Sequence, residues 1–176
     1  PTSTSVNKLS VVNYTASKVF SIEYKILLGS NTGGQTASGT WYFFQGDGTS
    51  FSDANAFTSA QVFTGLRFAF GASGALTVSY RNGATWTTIN NTGMTQGNVY
   101  SIKIYGNNST SAQTYDGGAQ SLAANKFDLW INGSLIGDDL NKGAIAADAN
   151  IDSYMFYGES SASNAANIFI DDISYS

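Results

Sequence analysis

The chain has 176 residues, eight of them basic and twelve acidic, with no cysteine and no histidine. This composition excludes disulfide scaffolds, thiolate zinc sites, cysteine nucleophiles and imidazole acid–base chemistry. A net charge of −4 with scattered lysines gives no electrostatic footprint for nucleic acid, no apolar run approaches the ~20 residues of a membrane-spanning helix, and 14% aromatic content excludes disorder.

Taken in chain order, the sequence opens on Pro1-Thr2-Ser3-Thr4-Ser5, and residues 1–8 read as a linker ahead of a single module within residues 1–176. Period-two alternation begins in 18–28, where Phe20, Ile22, Tyr24, Ile26 and Leu28 point one way and Glu23 and Lys25 the other. Trp41-Tyr42-Phe43-Phe44 is apolar on both faces, as expected of a central strand, with Trp41 in the core. Leu66, Phe68 and Phe70 alternate with Arg67, and Leu76, Val78 and Tyr80 alternate with Arg81, across a hairpin at Gly71–Gly74. Arg67 and Arg81 are therefore expected on one outer sheet face.

Asn82-Gly83 predicts the next hairpin turn, after which Trp86 lines either an edge groove or the core. Tyr100, Ile102 and Ile104 alternate with Lys103 and Tyr105. The segment Gly106–Gly118 has the Asn, Ser, Tyr and Gly content of adaptable recognition loops. Phe127, Leu129 and Ile131 alternate with Asp128 and Trp130, which places a carboxylate and an indole outward, with Trp130 either exposed or covered by a loop such as 107–124 or 138–152, and Asn132-Gly133 closes a further hairpin. Residues 140–150 are the one segment able to hold a helical turn. Strands over 153–157, ending at Tyr157, and 167–174 complete the chain. Some ten short strands imply an all-β, antiparallel two-sheet architecture.

Two segments carry a family resemblance. Val99–Ile104 followed by Lys126–Ile136, with Asn132-Gly133 between paired strands, resembles concanavalin A-like jelly rolls, a group that includes laminin G-like modules and laminarinase- or agarase-type hydrolases. The ending Ile168–Ser174 resembles the last strand of jelly-roll carbohydrate-binding modules and of MAM-type adhesion modules. The resemblance implies a concanavalin A-like jelly-roll β-sandwich. It also implies a non-catalytic polysaccharide-binding module, monomeric within a larger secreted or cell-surface bacterial protein and appended to a polysaccharide-degrading enzyme. Alternatives are an adhesion or spacer domain and a small glycoside hydrolase or polysaccharide lyase.

Sugars present a flat C–H face to aromatic rings and a hydroxyl rim to bidentate polar groups. The candidate ligand-binding residues are accordingly Trp130, Asp128, Arg67, Arg81, Tyr105, Trp86 and Tyr157. Jelly-roll glycanases need two carboxyls flanking the scissile bond, and the laminarinase type carries them as Glu-x-Asp-x-x-Glu. This chain has only Glu23 and Glu159, neither in that motif, and Ile22-Glu23-Tyr24 and Gly158-Glu159-Ser160-Ser161 match the catalytic strands of small xylanases only superficially and in the wrong order. Asp138-Asp139 and Asp171-Asp172, as adjacent pairs in strands, would point to opposite faces. A lyase would have to pair Tyr105 or Tyr157 with Arg67 or Arg81.

One structural calcium ion is the cofactor the resemblance allows, with Asp171 or Asp172 as ligand and Asp47 as a loop partner. Asp53 and the Asp148-Ala149-Asn150-Ile151-Asp152 run are further oxygen sources, although the run lacks the glycine and distal glutamate of an EF-hand loop. Gly33-Gly34 and Gly117-Gly118 precede no helix, so no phosphate cradle is implied.

Overall fold

The computed structural model describes residues 7–30, 38–48, 58–159 and 164–176. Pro1–Ser5, Gly33-Gly34, Asp53 and Ser160-Ser161 lie outside them. Among the described residues thirteen strands follow in chain order: β1 (Asn7–Val11), β2 (Val19–Leu28), β3 (Ser38–Gly46), β4 (Val62–Gly71), β5 (Leu76–Asn82), β6 (Thr85–Thr88), β7 (Val99–Asn107), β8 (Gln113–Tyr115), β9 (Gln120–Leu122), β10 (Lys126–Ile131), β11 (Ser134–Asn141), β12 (Ser153–Gly158) and β13 (Ile168–Tyr175). A six-stranded sheet has the order β1-β12-β3-β4-β5-β6, and a five-stranded sheet has the order β11-β10-β7-β2-β13. All pairings in both are antiparallel. Strands β8 and β9 form a separate hairpin. The two main sheets make a jelly-roll β-sandwich.

Alternation fixes which residues fill it. Ile22, Tyr24, Ile26 and Leu28 of β2, Ile102 and Ile104 of β7, and Phe127 and Leu129 of β10 meet Phe43, Leu66, Phe68, Val78 and Phe156 of the other sheet in one continuous core. Aromatic pairs bridge the sheets: Tyr24 sits 5.1 Å from Phe43 and 5.0 Å from Phe156, and Phe20 meets Phe63 edge-on at 5.2 Å. Such offset and edge-on geometries are those the ring quadrupole favours. Trp41 packs against this core as expected, its indole nitrogen donating to the Ala166 carbonyl at 2.9 Å.

Several expectations need correction. Asn7 and Lys8 are not linker but the start of β1, paired with Gly158 and Tyr157. The β5–β6 turn is centred one residue beyond Asn82-Gly83: Asn82 pairs with Thr85, and Gly83, at φ 57°, takes the first central position with Ala84. The Asn132-Gly133 turn stands as expected, with φ values of 49° and 78° at its two residues, the conformation a type I′ turn demands. Residues 142–152 contain no helix. They cross between the sheets as an irregular connection, pinned where a bulge in β4 frees carbonyls: Gly143 donates to Phe63 at 2.6 Å and Ile145 to Val62 at 3.1 Å. The buried Asn108 holds the far end, its amide donating to the Ala146 and Ala149 carbonyls at 3.0 and 2.8 Å.

Candidate functional site

The outer face of the six-stranded sheet is built in cross-strand rows. Register places Lys8, Tyr157, Tyr42, Arg67 and Ser79 side by side across β1, β12, β3, β4 and β5. The adjacent row holds Met155 and Phe44, and at the sheet edge Arg81 pairs with Trp86. Phe44, Val62 and Met155 form a second apolar cluster, separate from the core, on which Tyr42, Trp86 and Tyr157 pack. The double-sided apolarity of β3 is thereby explained: Phe43 serves the core, while Tyr42 and Phe44, stacked 5.5 Å apart, serve the outer face.

Trp86 is held by two arginines. The guanidinium carbons of Arg67 and Arg81 each lie 5.2 Å from its ring, in cation–π geometry. Arg67 also donates to Ser79 Oγ at 3.3 Å and Arg81 to Ser59 Oγ, so both planes are fixed before any ligand arrives. Gly65 makes this possible, because a Cβ there would sit 2.9 Å from that of Arg81 and 3.2 Å from the Phe44 ring. Tyr42, Phe44, Ser59, Arg81, Trp86, Tyr157 and Glu159 enclose an open cavity of about 290 Å³. Burial raises the Tyr42 pKa, helped by Glu159 and opposed by Arg67, so its hydroxyl stays a neutral donor.

The five-stranded sheet carries the other expected site residues. Trp130, Tyr105, Lys103 and Glu23 lie on its outer face, with Lys103 3.5 Å from Glu23 and 5.1 Å from the Tyr105 ring. The β8–β9 hairpin folds over this face. Its Tyr115 stacks on Tyr105 at 3.8 Å, accepts from the Trp130 indole at 3.0 Å and donates to Asp128 Oδ2 at 2.6 Å. Glu23, Ser101, Lys103, Tyr105, Tyr115, Asp116 and Trp130 line a second cleft of about 240 Å³.

The sequence expectation thus divides. Arg67 and Arg81 do share a face, joined there by Trp86 and Tyr157. Trp130, Asp128 and Tyr105 occupy the opposite side of the sandwich, so the seven residues do not form one patch. Asp128 is directed outward by alternation but is only 1% exposed, because the hairpin and β11 cover it. Tyr42, Phe44 and Lys8 also belong to the arginine face, outside the seven expected residues. The unbroken aromatic run of β3 was the signal for the first two, and Lys8 was hidden by its position in an apparent linker.

Glu23 and Glu159 lie on the outer faces of opposite sheets. Face-to-face sheets pack ~10 Å apart, so the two glutamates cannot flank one glycosidic bond. The expected calcium ligands are not gathered either. Asp172 pairs with Lys25 at 2.6 Å, Asp171 accepts the Asp172 amide at 2.9 Å, and Asp47 follows β3 with its amide on the Gln61 carbonyl. Among the described residues the three-carboxylate group is instead Asp128, Asp138 and Asp139, whose oxygens lie within 4.8 Å of one another. The adjacent pair does not splay to opposite faces: a bulge in β11 opposes both aspartates to Asp128, and Asp139 takes φ 49°. These three carboxylates could hold a metal ion, with carbonyls or waters completing the six to eight oxygens that calcium takes. Three of their lone pairs are already occupied, by Tyr115, by the Asp139 amide and by the Ala123 amide.

The chain has a concanavalin A-like jelly-roll fold, as lectin domains and polysaccharide lyases of known structure do. The carbohydrate recognition domain of Emp47p is similar over 97% of this chain and 77% of its own, at 12% identity and a TM-score of 0.54. The alginate lyase Aly36B is similar over 96% of this chain and 79% of its own, at 11% identity and TM-score 0.53. Sheep galectin-11 covers 97% of both chains at 10% identity and TM-score 0.50. No family model and no curated protein matches the sequence.

Proposed function

We propose that the chain is a non-catalytic carbohydrate-binding module of a secreted or cell-surface bacterial protein, and that it grips an acidic polysaccharide on the outer face of its six-stranded sheet. One observation carries this reading: two guanidinium groups held 5.2 Å from the Trp86 ring, beside the half-buried Tyr42 and Tyr157. The rings offer apolar area for the C–H face of a sugar, and the guanidinium forks offer bidentate donors for its carboxylate. Lys8 adds a cation in the row of Arg67 on the same face, against Glu159 as the acidic group of the cavity.

Fold neighbours support a glycan over other ligands, since their names describe a galectin, carbohydrate recognition domains and alginate lyases. Affinity electrophoresis against alginate, pectate, laminarin and cellulose tests the reading. Retardation by a polyuronate is expected, with Trp86→Ala weakening it about tenfold, the order expected for losing a stacked aromatic with its cation–π partners. No retardation by any polyuronate would overturn it.

A second reading, a polysaccharide lyase, is favoured by Tyr157 sharing this cavity with Arg81. A tyrosine near an arginine can serve β-elimination, in which the proton α to a uronate carboxylate is removed, the C4–O bond to the leaving sugar breaks, and the departing oxygen takes up a proton while the cation holds the developing charge. Ultraviolet-absorbing unsaturated products from alginate or pectate, abolished by Tyr157→Phe, would establish it in place of the first.

A further inference from the structure

The geometry points to a second saccharide site, distinct from the arginine face: the cleft over Trp130, formed by the β8–β9 hairpin on the five-stranded sheet, which we infer binds a neutral sugar unit. Three observations carry it. First, the aromatic surface there is pre-organised. The Trp130 indole is fixed by Tyr115 at 3.0 Å, and Tyr115 is fixed by stacking on Tyr105 and by its 2.6 Å bond to Asp128. Second, this arrangement uses a nearly fully buried carboxylate as its anchor. Burying a carboxylate costs several kcal/mol, and a hairpin could be seated more cheaply on apolar contacts. What Asp128 adds is the orientation of one phenol and, through it, of one indole. Pre-organised rings lose little entropy when a ligand stacks on them, and that raises affinity.

Third, the rim suits a polyol. Glu23, Ser101, Lys103 and Asp116 supply acceptors and donors around a cleft of about 240 Å³. That is smaller than the ~300–1,000 Å³ typical of drug-sized pockets, and fits one small ring system. Lys103 is already partnered by Glu23, and Asp116 adds a further negative charge. An anionic glycan therefore meets no free cation here, whereas the arginine face offers two. The two sides of the sandwich are chemically sorted: charge recognition on one, stacking with hydroxyl recognition on the other.

Nitrogen–proton correlation spectra of the labelled protein test this, with the Trp130 indole signal assigned by its loss in Trp130→Phe. Neutral hexasaccharides of β-1,3-glucan, β-1,4-glucan, β-1,4-mannan, β-1,4-xylan and β-1,4-galactan are titrated to millimolar concentration, alongside hexamannuronate. At least one neutral oligosaccharide is expected to shift the Trp130 indole and Tyr115 signals. Tyr115→Phe, which keeps the ring but removes the hydroxyl linking Trp130 to Asp128, is expected to weaken that binding about tenfold, the loss expected when a buried charged hydrogen bond goes. Trp86→Ala is expected to leave it unchanged. The inference is overturned if no neutral hexasaccharide moves the indole, if hexamannuronate alone does, or if Trp86→Ala abolishes the shift. The absence of any neutral-sugar shift leaves polyuronate binding by the arginine face untouched, whereas an indole shift by hexamannuronate alone would count against both readings, so the two failures are distinguishable.

Discussion

At Asp128, alternation and environment part company. The residue points away from the core, yet Tyr115, the Asp139 amide at 2.7 Å and the covering hairpin take it out of water. Desolvation, the largest influence, raises its pKa above the usual 3.8, and Asp138 and Asp139 push the same way while the two hydrogen bonds oppose. A carboxyl with a raised folded pKa holds its proton more tightly folded than unfolded. It therefore stabilises the fold on the acid side, and that contribution is lost as pH rises from the unfolded value through the elevated folded one. Asp128→Asn cannot titrate. The melting temperature of the wild type minus that of Asp128→Asn should fall as pH rises from below 3.8 through that window, then level off. A difference independent of pH would mean that Asp128 titrates as it does in the unfolded chain.

Among the elements, β7 shows how a strand is fitted to its neighbours by what it omits. Gly106 pairs with Phe20 of β2 and Phe127 of β10, and the Phe20 ring lies across it. A Cβ at Gly106 would sit 2.1 Å from that ring, which is itself held edge-on by Phe63. Neither partner can yield, so Gly106→Ala should destabilise by about 1–3 kcal/mol, the usual cost of overpacking a filled core. A denaturation midpoint that falls at unchanged slope would bear this out, and an unchanged midpoint would refute it. The site elements follow related logic. Bulges in β11 and β13 turn adjacent aspartates to new partners, Asp139 toward Asp128 and Asp172 toward Lys25, at residues with φ near 50°. The break in alternation at Gly137-Asp138-Asp139 marks one of these bulges in the sequence. Its consequence, a buried carboxylate anchoring a hairpin, depends on Asp128 of the partner strand, eleven residues before Asp139, and on Tyr115 beyond it.

The whole molecule carries a net charge of −4, yet Arg67, Arg81 and Lys8 are gathered on one face. Charged recognition at a solvent-accessible face is screened once the Debye length shrinks, to ≈ 8 Å at physiological salt and about 3 Å at 1 M. Polyuronate affinity, followed by calorimetry, should therefore weaken several-fold between low and high sodium chloride, while neutral-sugar binding over Trp130 should not change. Equal salt sensitivity at both would contradict the division of chemistry between the faces. The sequence by itself determined the all-β class, the hairpin at Asn132-Gly133, the inward set from Phe20 to Leu28 and the shared face of Arg67 and Arg81. Period-two alternation and turn stereochemistry are local properties, and neighbouring strands joined by a short hairpin inherit a common face. Only the tertiary structure decided that Trp130 and the arginines lie on opposite sheets, that Tyr42 joins Trp86, and that Asp128 is covered. Those facts depend on which strands, distant in the chain, are brought side by side, and strand order is set by how the two apolar faces close on each other rather than by any stretch of residues read alone.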